Sequence, residues 1–332
     1  MNNTVLSVIT RPLTKKEKEN SAVLRADNKK AFILYSQVII TFKYSKVFNL
    51  FMIDVQERKP EYPFKLTRVG IIGIKKPVSV ERGGKTTMLT LAIDAFVDLP
   101  STKKGSHMSR NVEAINEIVD EAVRKPVKGI ESLCASIAKR LLIKHQYANY
   151  AEVNMNADYF LERKSPSGNK SMENYGLIAK ATIKRGGAVK KSIGVKVIGM
   201  AACPCAMETV KELSKSKLSV THNQRNVASL MVEVPEKYDV EAHDLIKIVE
   251  SSFSSPTYEI LKRKDEADVV MSAHKNPKFV EDIVRDILSK ILEKYKNLPD
   301  DVLVTVRSIS EESIHKHNAF AERVTTLGEL RE

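Results

Sequence analysis

From residue 64 onward the chain reads strand, strand, helix, helix, strand, and then runs through that order again. This repeat restricts the fold more than any other feature. Residues 64–74 and 89–99 are rich in β-branched side chains and read as strands. Residues 112–123 carry Val112, Ile115, Ile118 and Val119 at helical spacing, and residues 130–143 give a second helix. Residues 147–161 read as a strand, and residues 164–175, with Ser165-Pro166-Ser167-Gly168, as a loop. In the second half, residues 192–200 and 227–234 read as strands, 242–253 and 278–295 as amphipathic helices, and 302–309 as a closing strand. Asn276-Pro277 offers a capping residue followed by proline at the first position of the later helix. The expectation is an α+β fold of two similar units with antiparallel sheets, one over residues 52–190 and one over 191–332.

Residues 1–51 stand apart. They hold nine basic and three acidic residues, a charge of +6, and leave +7 for the other 281 residues. Their apolar run, residues 31–42, is too short for a membrane span of about 20 residues. It also lies too far in for an ordinary signal peptide. The segment reads as a poorly ordered extension ahead of Met52, translated from an upstream start. A net +13 so concentrated is weak support for nucleic-acid binding, because an anionic small substrate accounts for the rest equally well. Cysteine is scarce, at positions 134, 203 and 205 only, which argues against a disulfide framework and fits a reducing, cytoplasmic setting without a membrane.

Chemistry concentrates in a few strings. Ala202-Cys203-Pro204-Cys205-Ala206 ends a strand and is followed by Thr221-His222-Asn223-Gln224-Arg225. Thiolate and imidazole are the donors that borderline-soft divalent metals prefer. Proline 204 favours an extended Cys203, and if the strand geometry continued both thiols would face one side. Two small buried hydrophobes beside a polar loop are the alternative. His315 and His317 alternate after the last strand, so they either share a face toward a metal or substrate or form exposed polar surface. Lys262-Arg263-Lys264-Asp265-Glu266 offers bases for an anion and a ligand in Glu266, or is a solvated turn. Glu281 and Asp282 suit the start of a helix electrostatically with no substrate involved. The loop from Gly105 to Arg110, after Lys103 and Lys104, suits phosphate. Gly83-Gly84-Lys85-Thr86-Thr87 is not a P-loop: it lacks the first glycine and begins a strand. His145, His243 and His274 sit in ordinary context and read as structural.

Taken in order, several strings resemble one family: Leu66-Thr67-Arg68-Val69-Gly70, Phe96-Val97-Asp98-Leu99-Pro100, His107-Met108-Ser109-Arg110, Cys203-Pro204-Cys205-Ala206 and Thr221 to Arg225. Leu261-Lys262-Arg263, Asp265-Glu266-Ala267, Asn276 to Asp282 and Glu312-Ser313-Ile314-His315 complete the set. From about residue 64 to the end, the chain resembles the archaeal GTP cyclohydrolases of the MptA (type IV) group, relatives of bacterial type IB GTP cyclohydrolases. The resemblance implies the tunnelling fold (T-fold), in a homo-oligomer, dimer or tetramer, with active sites at subunit contacts. It implies one metal per subunit, Fe(II), with Mn and Zn compatible with the same ligands. By similarity Cys203 is the thiolate ligand, His222 and Glu266 complete the sphere, and one of His315 and His317 is a further ligand or acid–base group. Glu281 would anchor the purine edge, with His107 and Arg110 on the ribose or phosphates and Arg263 on the substrate.

The implied reaction is opening of the guanine imidazole ring of GTP at C8, with release of formate. The archaeal product is 7,8-dihydroneopterin 2′,3′-cyclic phosphate with pyrophosphate, the first step of methanopterin-type pterin synthesis. The bacterial alternative is 7,8-dihydroneopterin triphosphate. A nitrile reductase of the same fold would need a nicotinamide site, for which no motif is present. A nucleic-acid-binding protein is the remaining alternative, disfavoured by 6% aromatic residues and no stacking platform.

Overall fold

A computed structural model describes residues 54–82, 85–214 and 220–332. The extension read over residues 1–51 lies outside the described residues. Gln56–Glu332 forms one compact unit.

The first half runs β1 (Leu66–Arg82), β2 (Lys85–Leu99), α1 (Met108–Arg124), α2 (Ile130–Lys144), β3 (Tyr150–Lys164) and β4 (Lys170–Lys184). The second runs β5 (Val189–Ala202), α3 (Pro204–Ser214), β6 (Asn223–Pro235), α4 (Ala242–Glu250) and the short β7 (Ser255–Pro256). It continues through α5 (Arg263–Lys275), α6 (Val280–Lys294), β8 (Leu303–Ser310), β9 (Ala319–Thr326) and α7 (Leu327–Arg331). The strands form a single antiparallel sheet in the order β1-β2-β3-β4-β5-β6-β8-β9, with β7 paired to β5. The two halves meet in the β4–β5 pairing, from Gly176 opposite Lys196 to Ile183 opposite Val189.

Alternation decides which face each strand buries. On β6, Asn226, Ala228, Leu230, Val232 and Val234 are buried, while Arg225, Val227, Ser229, Met231 and Glu233 lie on the other, more open face. Among the described residues, helices cover the first of these faces. Helix α2 buries most of its length, Ile130, Leu133, Cys134, Ile137, Ala138 and Leu141 among others. Helix α6 presents Val280, Ile283, Val284, Ile287 and Ile291 at three- and four-residue spacing. One continuous apolar cluster runs through both halves. Each fully buried aliphatic side chain there contributes roughly 2 kcal/mol.

Four sequence expectations are corrected. Residues 164–175 are not a loop: only Ser165–Asn169 turn, with Gly168 at φ +86°, and β4 begins at Lys170. Strand β9 was not expected from the sequence. Asn276-Pro277 does not open α6. Asn276 ends α5, and α6 starts after Phe279, whose N–H is received by Asp282 at 3.0 Å. The strand does not continue through Cys205 either. Pro204 is the first residue of α3, where its missing N–H costs nothing, so Cys203 ends the strand and Cys205 lies exposed on the helix.

Candidate active site

The ends of β5, β6 and β8 gather the thiol and imidazole groups. Ala202 pairs with Asn223, and beyond that pair the Cys203 N–H donates to the His222 carbonyl at 3.1 Å. Thr221 Oγ1 donates to the Cys203 carbonyl at 2.6 Å, closing the junction. The Ala206 N–H, at the start of α3, donates to Cys203 Sγ at 3.4 Å. The sulfur thus sits at a helix N-terminus with a backbone N–H aimed at it. Cys134 contrasts: burial pushes its thiol well up, and it is a packing residue.

His222 is held by a chain of contacts that fixes its tautomer. Gln224 Nε2 donates to Glu312 Oε1 at 3.1 Å and to Ser310 Oγ at 3.3 Å. A carboxylate only accepts, so the amide nitrogen must face Glu312 and the amide oxygen must face the imidazole. Gln224 Oε1 lies 2.9 Å from His222 Nδ1, with Ser313 Oγ at 3.4 Å and Glu312 Oε2 at 3.9 Å. The Nδ1 proton therefore belongs to this contact, and the Nε2 lone pair is left for a ligand. The His315 ring stands 6.4 Å from that of His222, nearly perpendicular, and His317 stacks on His315 at 5.3 Å. The alternating histidines do share one side of the β8–β9 connection.

Other expected residues are placed differently. Glu281 sits on the first turn of α6, whose approach is tied to the same strand end by Lys278 N–H donating to the Ala202 carbonyl at 2.9 Å. Glu266 and Arg263 are exposed on the first turn of α5. Among the described residues, no three of Cys203, His222, Glu266, His315 and His317 bring ligand atoms within 4.8 Å of one another. His107 and Arg110 begin α1, beyond the end of β2, at the opposite end of the sheet from Cys203. Fourteen residues of β5 separate the two ends, roughly 45 Å of strand.

The histidines read as structural include His145, which is buried. Its Nε2 lies 2.8 Å from Asn111 Oδ1 and its Nδ1 3.0 Å from the Tyr147 hydroxyl. Burial, with the charges of Arg110 and His107 adding to it, lowers its pKa to about 4. His274 does more than fill space: its Nε2 lies 3.3 Å from the Thr221 carbonyl, one residue before His222. Sequence reasoning gave no role to Gln224 or Glu312. Their signal is position: Gln224 lies two residues past His222, on the same face of β6.

A cysteine sulfur beside an imidazole whose Nδ1 is held by Gln224 is a donor pair that fits a borderline-soft divalent ion. Gln224→Ala is expected to release the His222 ring and weaken metal binding about 10- to 100-fold with little change in melting temperature. Metal titration of the stripped protein measures this, and unchanged affinity would remove Gln224 from the site.

Residues 52–321 match the family model described as type I GTP cyclohydrolase folE2. The chain belongs to this GTP cyclohydrolase family. Relatives named GTP cyclohydrolase MptA include those of Methanosphaera stadtmanae, 47% identical over 302 residues, and Methanothermobacter thermautotrophicus, 48% identical over 300. These alignments cover 84% of this chain and 96% and 94% of the relatives. The family match begins at Met52, close to where the described residues begin. Among solved structures, a uricase from Arthrobacter globiformis covers 78% of this chain and 93% of its own, with TM-score 0.51 and 6% identity. That likeness extends the cyclohydrolase's antiparallel α/β architecture to a distant protein and concerns the fold alone. Among the described residues no helix is long and apolar enough to cross a membrane.

Proposed function

We propose that this chain opens the imidazole ring of GTP at a metal centre held by Cys203, His222, Glu266 and His315. The observation that carries the reading is the junction of β5 and β6. There a polarised thiol and an imidazole oriented by Gln224 lie on adjacent backbone, in a member of a GTP cyclohydrolase family. A bound divalent ion, Fe(II) by resemblance, with Mn and Zn as alternatives, would supply Lewis acidity and lower the pKa of water.

The protein's own groups do the rest. Glu281, three residues after Lys278, whose N–H donates to the Ala202 carbonyl, accepts from the guanine N–H groups and sets C8 toward the Cys203 junction. The stacked pair His315 and His317 exchanges protons with the ring nitrogens as two waters add to C8 in turn, both C8–N bonds break and the carbon leaves as formate. Arg263 balances phosphate charge. After the ribose carbons rearrange, ring closure gives a dihydropterin. Its proposed form is 7,8-dihydroneopterin 2′,3′-cyclic phosphate with pyrophosphate released, a first step of methanopterin-type synthesis. 7,8-Dihydroneopterin triphosphate is the alternative product.

The strand–strand–helix–helix–strand–strand order of the first half, and a second half that interposes α3, β7 and α5 in the same antiparallel sheet, support a tunnelling fold, which the resemblance to the family would assemble as a homo-oligomer, dimer or tetramer. His107 and Arg110 lie at the far end of the sheet from Cys203, so if both act on one GTP they come from different subunits. The sheet face that the described helices leave open, with Met88, Ile198 and Phe320 exposed, suits burial against another copy. The proposed setting is a reducing cytoplasm, which the free thiols of Cys134, Cys203 and Cys205 suit.

The test is anaerobic incubation of metal-stripped protein with GTP, with and without Fe(II), and mass analysis of products. Formate and the cyclic phosphate are expected only with the metal. No consumption of GTP with Fe, Mn or Zn would overturn the proposal.

A further inference from the structure

The tip of the β3–β4 hairpin, in the first half of the chain, grips the segment that leads into α5. Asp265 is fully buried and receives the Ser167 N–H at 2.6 Å, the Ser167 hydroxyl at 2.7 Å and the Ser165 hydroxyl at 3.3 Å. It also receives the Lys262 N–H of its own helix start, at 3.1 Å. A little further along β4, Glu173, also buried, receives the Glu259 N–H on both oxygens, at 3.0 and 3.1 Å. Residues 165–173 thus hold residues 259–265 at two points, each through a buried carboxylate.

A buried carboxylate is stable only where donors replace its water. Capping α5 needs just one of these bonds, from Lys262. The others reach across about a hundred residues of chain, and they fasten a helix start that has little else to hold it. The residue at the cap position is Lys262, which cannot cap as serine or aspartate would. The next side chain along is Glu266. At its far end the same helix is tied through His274 to the carbonyl of Thr221.

We propose that Asp265 is a positioning residue for Glu266, transmitting the geometry of the Ser165–Asn169 turn to the metal centre. The inference rests on the reading of Glu266 as a metal ligand. It gives the first half of the chain, which contributes no cysteine or histidine to the Cys203 cluster, control over one side of that centre. A released first turn frays, and the carboxylate then samples many rotamers where binding needs one.

The experiment is Co(II) titration of the metal-stripped full-length protein, following the thiolate charge-transfer and d–d bands. Asp265→Asn and the double variant Ser165→Ala/Ser167→Ala are expected to weaken Co(II) binding about 10- to 100-fold and shift the d–d bands. The charge-transfer band should persist, and Ser167→Thr, which keeps the hydroxyl, should behave as wild type. Glu266→Gln is run beside them. If Glu266→Gln weakens binding while Asp265→Asn and the serine variant keep wild-type affinity and spectrum, the positioning role is overturned. If Glu266→Gln itself is unaffected, the ligand assignment fails instead. Should Asp265→Asn misfold, the serine variant, which removes only hydroxyls of the turn, decides.

Discussion

Cys203→Ala is expected to lower turnover of GTP by about three orders of magnitude while the assembly and the melting temperature stay close to wild type. The size follows from losing the proposed metal ligand and with it several kcal/mol of transition-state stabilisation. The fold should survive because the structural bonds at this position are made by backbone. The Cys203 N–H donates to the His222 carbonyl, and its own carbonyl receives the Thr221 hydroxyl. Cys205→Ala is the control, since that thiol is exposed on α3. Equal losses in both variants would move the thiolate ligand away from Cys203. The same variant tests the assembly: mixed with an inactive Arg110→Ala protein and allowed to exchange subunits, it should regain partial activity. No recovery would mean that His107 and Arg110 do not serve the Cys203 site of a neighbour.

The largest expected effect on stability lies just behind that site. Phe253 is buried against Gly199 of β5, where an added Cβ would stand 2.0 Å from the ring. Its carbonyl receives the Asn276 side chain, and the next residue, Ser254, bonds to Met200 and Ala202. Phe253→Ala should cost about 3–5 kcal/mol. For a domain of this size that lowers the melting temperature by roughly 10 °C. Gly199→Ala should cost about 1–3 kcal/mol in the wild type, because the ring has no room to retreat. In the Phe253→Ala background the same methyl enters the space the ring has left, so the two losses should fall well short of adding. Additive losses in thermal unfolding would show that the two residues do not press on each other.

These particulars explain which parts of the fold were legible. The helices with a clear apolar stripe, α1, α4 and α6, were readable from spacing, and so were the strands that alternate under them. Strand β4 was hidden because Ser165-Pro166-Ser167-Gly168 is a strong turn signal and the residues after it, Met172 apart, are polar until Tyr175. The turn is real but short. Strand β9 lies at the sheet edge with only Thr325 buried and Val324 exposed, so it has no sustained apolar alternation to read. Helix α3 buries only Met207 and α5 only Asp265, Val269 and Ala273, too little for a periodic pattern.

The site divided along the same line. Cys203, His222 and the 315/317 pair were visible because their residue types are rare in this chain and chemically specific. Gln224, Glu312 and Asp265 were not, since amides and carboxylates are common on any surface. Only their partners, brought from up to a hundred residues away, distinguish them.

The order of strands in the sheet has a consequence for how the molecule is made. Apart from the short β7, every strand pairs with its neighbours in sequence, so a chain emerging from the ribosome can add each strand to the growing edge without waiting for a distant partner. The Cys203–His222 junction can close once β6 has paired. Glu266 and His315 emerge later, so an ion captured early would be held by two side chains alone. Its retention would then report completion of the last quarter of the chain.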